Sequence, residues 1–165
     1  PAGISLSGKN IAVIGLGDIG RQLVKRLLAC EMNITAYDPF VPKTEIPQVN
    51  REIWPDKIQN MDFIVFTCSL NSENKHMLNA KVLDLCKSGV YIINVARGPL
   101  IDEKALIEAL NSSKVKAVAL DVFEEEPSNV FQGVNHQQLT SSGQGTLNFL
   151  TYLKTLIAGT SKAGL

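Results

Sequence analysis

The sequence predicts an α/β fold: a doubly wound parallel sheet of about six strands, with helices on both faces, in a single domain spanning residues 1–165. Three observations carry that prediction. Short apolar runs of strand length alternate with segments of helical spacing. The runs are unbroken, as strands buried on both faces require. The first of them ends in a glycine turn, Gly15-Leu16-Gly17-Asp18-Ile19-Gly20, set between a strand and a helix.

The elements follow in order. IAVIG (11–15) has strand length, and residues 19–29 place Ile19, Leu23, Leu27 and then Cys30 at helical spacing. NITAY (33–37) is β-branched and stops at Asp38-Pro39, because proline cannot continue a ladder. Residues 39–60 read as loop, with Pro42, Pro47 and Pro55, and a short helix near Ile53. DFIVFT (62–67) is a third strand. Residues 78–86 form a short helix ended by Gly89, and VYIINV (90–95) is a fourth strand. Asp102-Glu103 opens a helix through Leu110, its acids favourably placed at the positive end of the helix dipole. KAVAL (116–120) is a fifth strand and QQLT (137–140) a short sixth. Residues 147–158 are helical, and GTSKAGL is a frayed end.

Composition narrows the function. The chain has 165 residues, the size of one domain, and at 45% hydrophobic and 19% charged it forms a core. Sixteen basic residues balance sixteen acidic ones, which argues against a dedicated nucleic-acid binder. No apolar run reaches about 18 residues, so no membrane span is expected. Cys30, Cys68 and Cys86 sit in apolar stretches without a Cys-x-x-Cys pair. They read as small buried hydrophobes of a reducing, cytoplasmic compartment. With only His76 and His136 as further ligands, no metal site is expected. His76 reads as packing at a helix start. The chain opens on Pro1 rather than Met and is taken as processed or, in preference, as a piece of something longer.

The glycine turn has the context that dinucleotide binding demands. A strand ends at Gly15, a helix starts near Asp18, and an acid, Asp38, closes the next strand. Gly15 allows the tight turn, Gly17 lets backbone approach a pyrophosphate, and Gly20 lets helix and strand pack closely. The first N–H groups of the helix, at Asp18 and Ile19, and its dipole would then hold the phosphates. Asp38 would accept hydrogen bonds from the adenosine ribose. A 2′-phosphate facing Asp38 would cost about 1–4 kcal/mol, so NAD is expected over NADP.

Two further segments are more specific: Asn94-Val95-Ala96-Arg97-Gly98-Pro99-Leu100-Ile101-Asp102-Glu103, and Ala119-Leu120-Asp121-Val122-Phe123-Glu124-Glu125-Glu126-Pro127. With the glycine turn, they resemble the NAD-binding Rossmann domain of the D-isomer-specific 2-hydroxyacid dehydrogenases, over residues 4–146. The resemblance implies an oxidoreductase that interconverts a D-2-hydroxy acid and a 2-keto acid with NAD(H). It also implies a homodimer formed through this domain. The family's substrate domain, the opposite wall of the cleft, is not in this chain. Arg97 matches the arginine that binds the substrate's carboxylate and carbonyl oxygen, a role suited to a guanidinium at a strand's carboxyl end. Glu126 matches the acid that raises the pKa of a catalytic histidine. Asp121 matches the residue holding the nicotinamide carboxamide, and Cys68 a backbone contact to the cofactor. Val95, Ala96, Ser142 and Gly145 fall on further cofactor-lining positions. Glu124 and Glu125 read as a solvated acidic loop.

One departure matters. The family's histidine lies in a segment like T-P-H-x-x-G-x-T, where this chain reads Thr140-Ser141-Ser142-Gly143-Gln144-Gly145-Thr146. Anchored on Thr140 and Gly145, the histidine position falls on Ser142; counted from Glu126, it falls on Gln144. Neither is an acid near neutrality. His136 is an outside candidate, otherwise a loop residue. The alternative function is therefore a non-catalytic NAD-binding sensor or interaction module of the same family. Loss of the histidine favours it, whereas retention of Arg97 and Glu126 favours the dehydrogenase.

Overall fold

Four consecutive residues of the first strand, Ile11 to Ile14, are buried, so β1 (Asn10–Ile14) must be covered on both faces. The computed structural model describes residues 5–43 and 45–124. There β2 (Asn33–Tyr37), β3 (Asn50–Arg51), β4 (Phe63–Phe66), β5 (Val90–Asn94) and β6 (Val115–Leu120) join β1. All pair in parallel, in the order β3-β2-β1-β4-β5-β6. The order reverses between β1 and β4, which opens a crevice at the carboxyl ends of the strands.

The period of two in each strand builds two cores. Ala12, Ile14, Ile64, Phe66, Ile92 and Val118 point to one face, where α2 (Ala80–Leu85) and α3 (Glu103–Asn111) cover them. Ile11, Val13, Phe63, Val65, Ile93 and Ala117 point to the other, against α1 (Asp18–Ala29). The stripe on α1 is Leu23, Val24 and Leu27, essentially unexposed. Each such aliphatic side chain contributes about 1.5–3 kcal/mol by leaving water. Asp18 in the first turn and Arg26 in the last suit the helix dipole. The Asn79 side chain caps α2, accepting from Val82 N, and Asp102 caps α3, accepting from Ala105 N.

The structure corrects the reading of residues 39–60. There is no helix near Ile53, which is 74% exposed. Instead Asn50–Arg51 adds an edge strand to β2, and Ile58–Asn60 forms a 3₁₀ turn. A two-residue strand carries no periodicity, so only its pairing reveals it. Trp54 anchors this segment, its indole N–H donating to Met77 O at 3.0 Å and its ring edge-on to Tyr37 and Phe66. The strand expected at 137–140 and the helix expected at 147–158 lie outside the described residues. Among the described residues no helix is long and apolar enough to cross a membrane.

Candidate cofactor-binding site

Gly15 leaves β1 with φ +99°, a left-handed backbone that favours glycine. A side chain there would also meet Cys68, whose backbone N and Cα lie 2.8 Å from the Cβ position. Thr67, just after β4, closes the same turn by donating from Oγ1 to Gly15 O at 2.9 Å and Ile14 O at 3.1 Å. Gly20 is pressed on the turn, its missing Cβ only 2.0 Å from Gly15 O. At Gly17 the opposite holds: among the described residues nothing lies within 4 Å of the Cβ position, and no side chain caps α1 there. Asp18 is exposed and Ile19 half-buried in the first helical turn.

Asp38, at the end of β2, does more than the sequence suggests. Its Oδ2 accepts from Leu16 N at 2.8 Å, and Oδ1 accepts from Phe40 N at 2.9 Å and Val41 N at 3.3 Å. The carboxylate thus braces both the glycine turn and its own loop. A carboxylate offers about four acceptor sites, which leaves room for a ribose hydroxyl. Arg51, on β3, holds the outer side of that loop. Its Nη2 donates to Asp38 O at 2.7 Å and Val41 O at 2.8 Å, and Nη1 to Pro42 O at 3.3 Å. No sequence signal marked Arg51, because the edge strand that carries it was not visible.

Gly15, Gly17, Asp38, Arg51, Trp54 and Cys68 share a groove of about 650 Å³. Arg97 and Asp121 lie outside it, at the ends of β5 and β6. Arg97 is exposed, and its Nη1 donates to Ala96 O at 2.7 Å. Val95 is half-buried and Ala96 buried beside it. The turn presenting Arg97 is shaped by Asn94, a buried polar residue that the motif reading passed over. Asn94 Nδ2 donates to Arg97 O at 2.9 Å, and Oδ1 accepts from Ala96 N at 3.0 Å. Asn94 O also accepts from Asp121 N at 3.0 Å, joining the two loops. An asparagine closing an otherwise apolar strand was the available signal.

Two expectations fail here. Glu124 is not a solvated loop acid: its carboxylate contacts His76 Nε2 and accepts from Glu103 N at 3.3 Å. His76 does not pack at a helix start; it precedes α2 with φ +52° and reaches across to Glu124. Contacts across 48 residues leave no local trace in sequence. Glu126, His136, Ser142, Gln144 and Gly145 lie outside the described residues.

The cysteines are free thiols, with Cys86 buried in the core and Cys30 and Cys68 half-buried. Burial pushes the Cys68 thiol up to about 11, and the nearby Asp38 charge adds to the shift. Only about one thiol in a thousand is then ionised at pH 8. Alkylation of Cys68 by iodoacetamide, followed by peptide mass, should be slow at pH 8 and accelerate towards pH 11. A rate already maximal at pH 8 would contradict the burial. Among the described residues, no group of three His, Cys, Asp or Glu side chains is placed to hold a metal ion.

A parallel sheet with this strand order and a glycine turn at its switch point defines a nucleotide-binding α/β domain. Residues 1–141 match the family model of the D-isomer specific 2-hydroxyacid dehydrogenase, NAD binding domain, and the chain belongs to that family. It is 47% identical over 128 residues to D-3-phosphoglycerate dehydrogenase of Methanocaldococcus jannaschii, covering 76% of this chain and 24% of the relative. It is 42% identical over 125 residues to hydroxypyruvate reductase of Thermotoga maritima, covering 76% and 40%. The apo structure of D-lactate dehydrogenase from Escherichia coli superposes with a TM-score of 0.75 at 30% identity, covering 96% of this chain and 51% of that one. The chain thus spans about half or less of the length of these three proteins.

The cofactor of this family domain is NAD, and the groove lined by Gly15, Gly17 and Asp38 would suit its adenosine and pyrophosphate side. The open space at the Gly17 Cβ position would let a pyrophosphate reach the N-terminus of α1.

Proposed function

We propose that residues 1–165 form the single NAD-binding domain of an oxidoreductase acting on a D-2-hydroxy acid or its 2-keto acid, the substrate domain lying outside these residues. The observation that carries this reading is the pairing of Gly17, open to the groove, with Asp38 at its rim. The glycine turn and the first turn of α1 would hold the pyrophosphate. Asp38 would accept from the adenosine ribose. When bound, NAD supplies or accepts the hydride. Arg97, exposed at the carboxyl edge, would bind the substrate carboxylate and polarise its carbonyl. Asp121 would orient the carboxamide, and Glu126 would support the acid–base group. The domain would work as a cytoplasmic homodimer without nucleic-acid or membrane partners; sedimentation of the chain would show the dimer. A sensor or interaction module of the same family is the second reading, favoured by the missing histidine at Ser142 or Gln144.

Titration calorimetry with NADH and NADPH tests the cofactor reading. NADH should bind the tighter, because a 2′-phosphate would face the Asp38 carboxylate. Equal or inverted affinities would sink the assignment. Asp38→Asn should narrow the gap. It should also lower stability by about 1 kcal/mol, since the carboxylate braces Leu16 and Phe40.

A further inference from the structure

At the β4–β5–β6 end of the sheet, three loops are tied into one body. The segment before α2 runs along the loop after β5: His76 N donates to Pro99 O at 2.8 Å, Leu78 N to Leu100 O at 3.2 Å, and Asp102 N to Leu78 O at 2.9 Å. The loop after β6 is fastened to the start of α3 by a reciprocal pair. Glu124 N donates to Glu103 Oε1 at 2.8 Å, and Glu103 N donates to Glu124 Oε2 at 3.3 Å. Phe123 O lies 1.9 Å from the position a Gly98 Cβ would take, so this loop passes directly beside Arg97. The other oxygen of Glu124, Oε1, is held by His76 Nε2. His76 reaches it from a left-handed backbone, φ +52°, which is uncommon for a residue other than glycine and is sustained only where the surroundings impose it.

This tie bears on one half of the ligand. If the pyrophosphate sits over the glycine turn and Asp38 takes the adenosine side, the rest of the dinucleotide extends towards β5 and β6. The loops that follow those strands carry Arg97 and Asp121. We propose that His76 is a positioning residue which, through Glu124, fixes the Asp121–Glu124 loop against the nicotinamide half of the cofactor. The inference rests on the cofactor reading above. Its chemistry is a charge-assisted contact that spans two loops and restrains a third.

The test compares NADH with ADP-ribose, which shares the adenosine and pyrophosphate but lacks the nicotinamide. The proteins are the whole chain and its His76→Ala, His76→Gln and Glu124→Gln variants. Affinities come from calorimetry, and the bound nicotinamide is followed by NADH fluorescence. His76→Ala should weaken NADH about tenfold while ADP-ribose changes less than about twofold. His76→Gln, which keeps a donor near the Nε2 position, should recover part of the loss, although its backbone is no easier to hold left-handed. Glu124→Gln, of the same size, should show the same split even if the Ala variant fails to fold. Equal losses for both ligands, or none for either, would overturn the proposal. A wild-type chain that binds neither ligand would overturn the cofactor reading and this inference with it. A chain that binds both, with no split among the variants, would overturn the inference alone.

Discussion

Gly17→Val is expected to remove NADH binding while the chain stays folded. Gly17 has φ −71° and ψ −166°, an extended conformation that valine adopts readily, and among the described residues nothing lies within 4 Å of its Cβ position. The fold therefore loses little beyond a poorer N-cap residue, about 1 kcal/mol, or roughly 2–4 °C in melting temperature. The space the side chain enters is the space the proposed site gives to a pyrophosphate. Two charge-assisted hydrogen bonds lost from the phosphates correspond to at least about a hundredfold in affinity. Calorimetry and thermal melting on the same sample check both halves. A variant that still binds NADH would show that the phosphates lie elsewhere.

Gly20→Ala should give the reverse result, a large loss of stability. The new methyl group would lie 2.0 Å from Gly15 O and 3.0 Å from Thr67 Oγ1. The first of these is backbone, in a turn fixed by Thr67, Cys68 and Asp38, so it cannot swing aside. Either α1 lifts from β1, exposing Leu23 and Leu27, or the turn deforms. A cost of about 3 kcal/mol or more is expected, roughly 6–12 °C in melting temperature. Affinity for NADH should fall as a consequence of the damaged turn. A melting temperature equal to wild type would mean that helix and strand are not in such close contact. The two glycines stand three residues apart in one motif, yet the first faces an open groove and the second faces backbone.

The sequence by itself determined most of the scaffold. The strands IAVI, FIVF, VYII and AVAL are unbroken apolar runs and NITAY is largely β-branched and apolar, and a parallel sheet covered on both faces is the arrangement that buries such runs. The glycine spacing, with Asp38 closing the second strand, likewise marks the carboxyl edge as the candidate place for a dinucleotide. These signals are local: each is a pattern within a few residues, set by the repeat of a strand or the geometry of a turn. Tertiary structure alone decided the rest. Asn50–Arg51 is a strand only because β2 offers it an edge, and Arg51 matters only because the Asp38–Pro42 loop folds over it. Asp38 is a brace as well as a ribose candidate because Leu16 N comes within 2.8 Å of it. His76 and Glu124 meet across 48 residues, and nothing in either segment encodes the other. Periodicity and spacing record what a residue does for its own element. A contact between elements exists only once the sheet has brought their ends together.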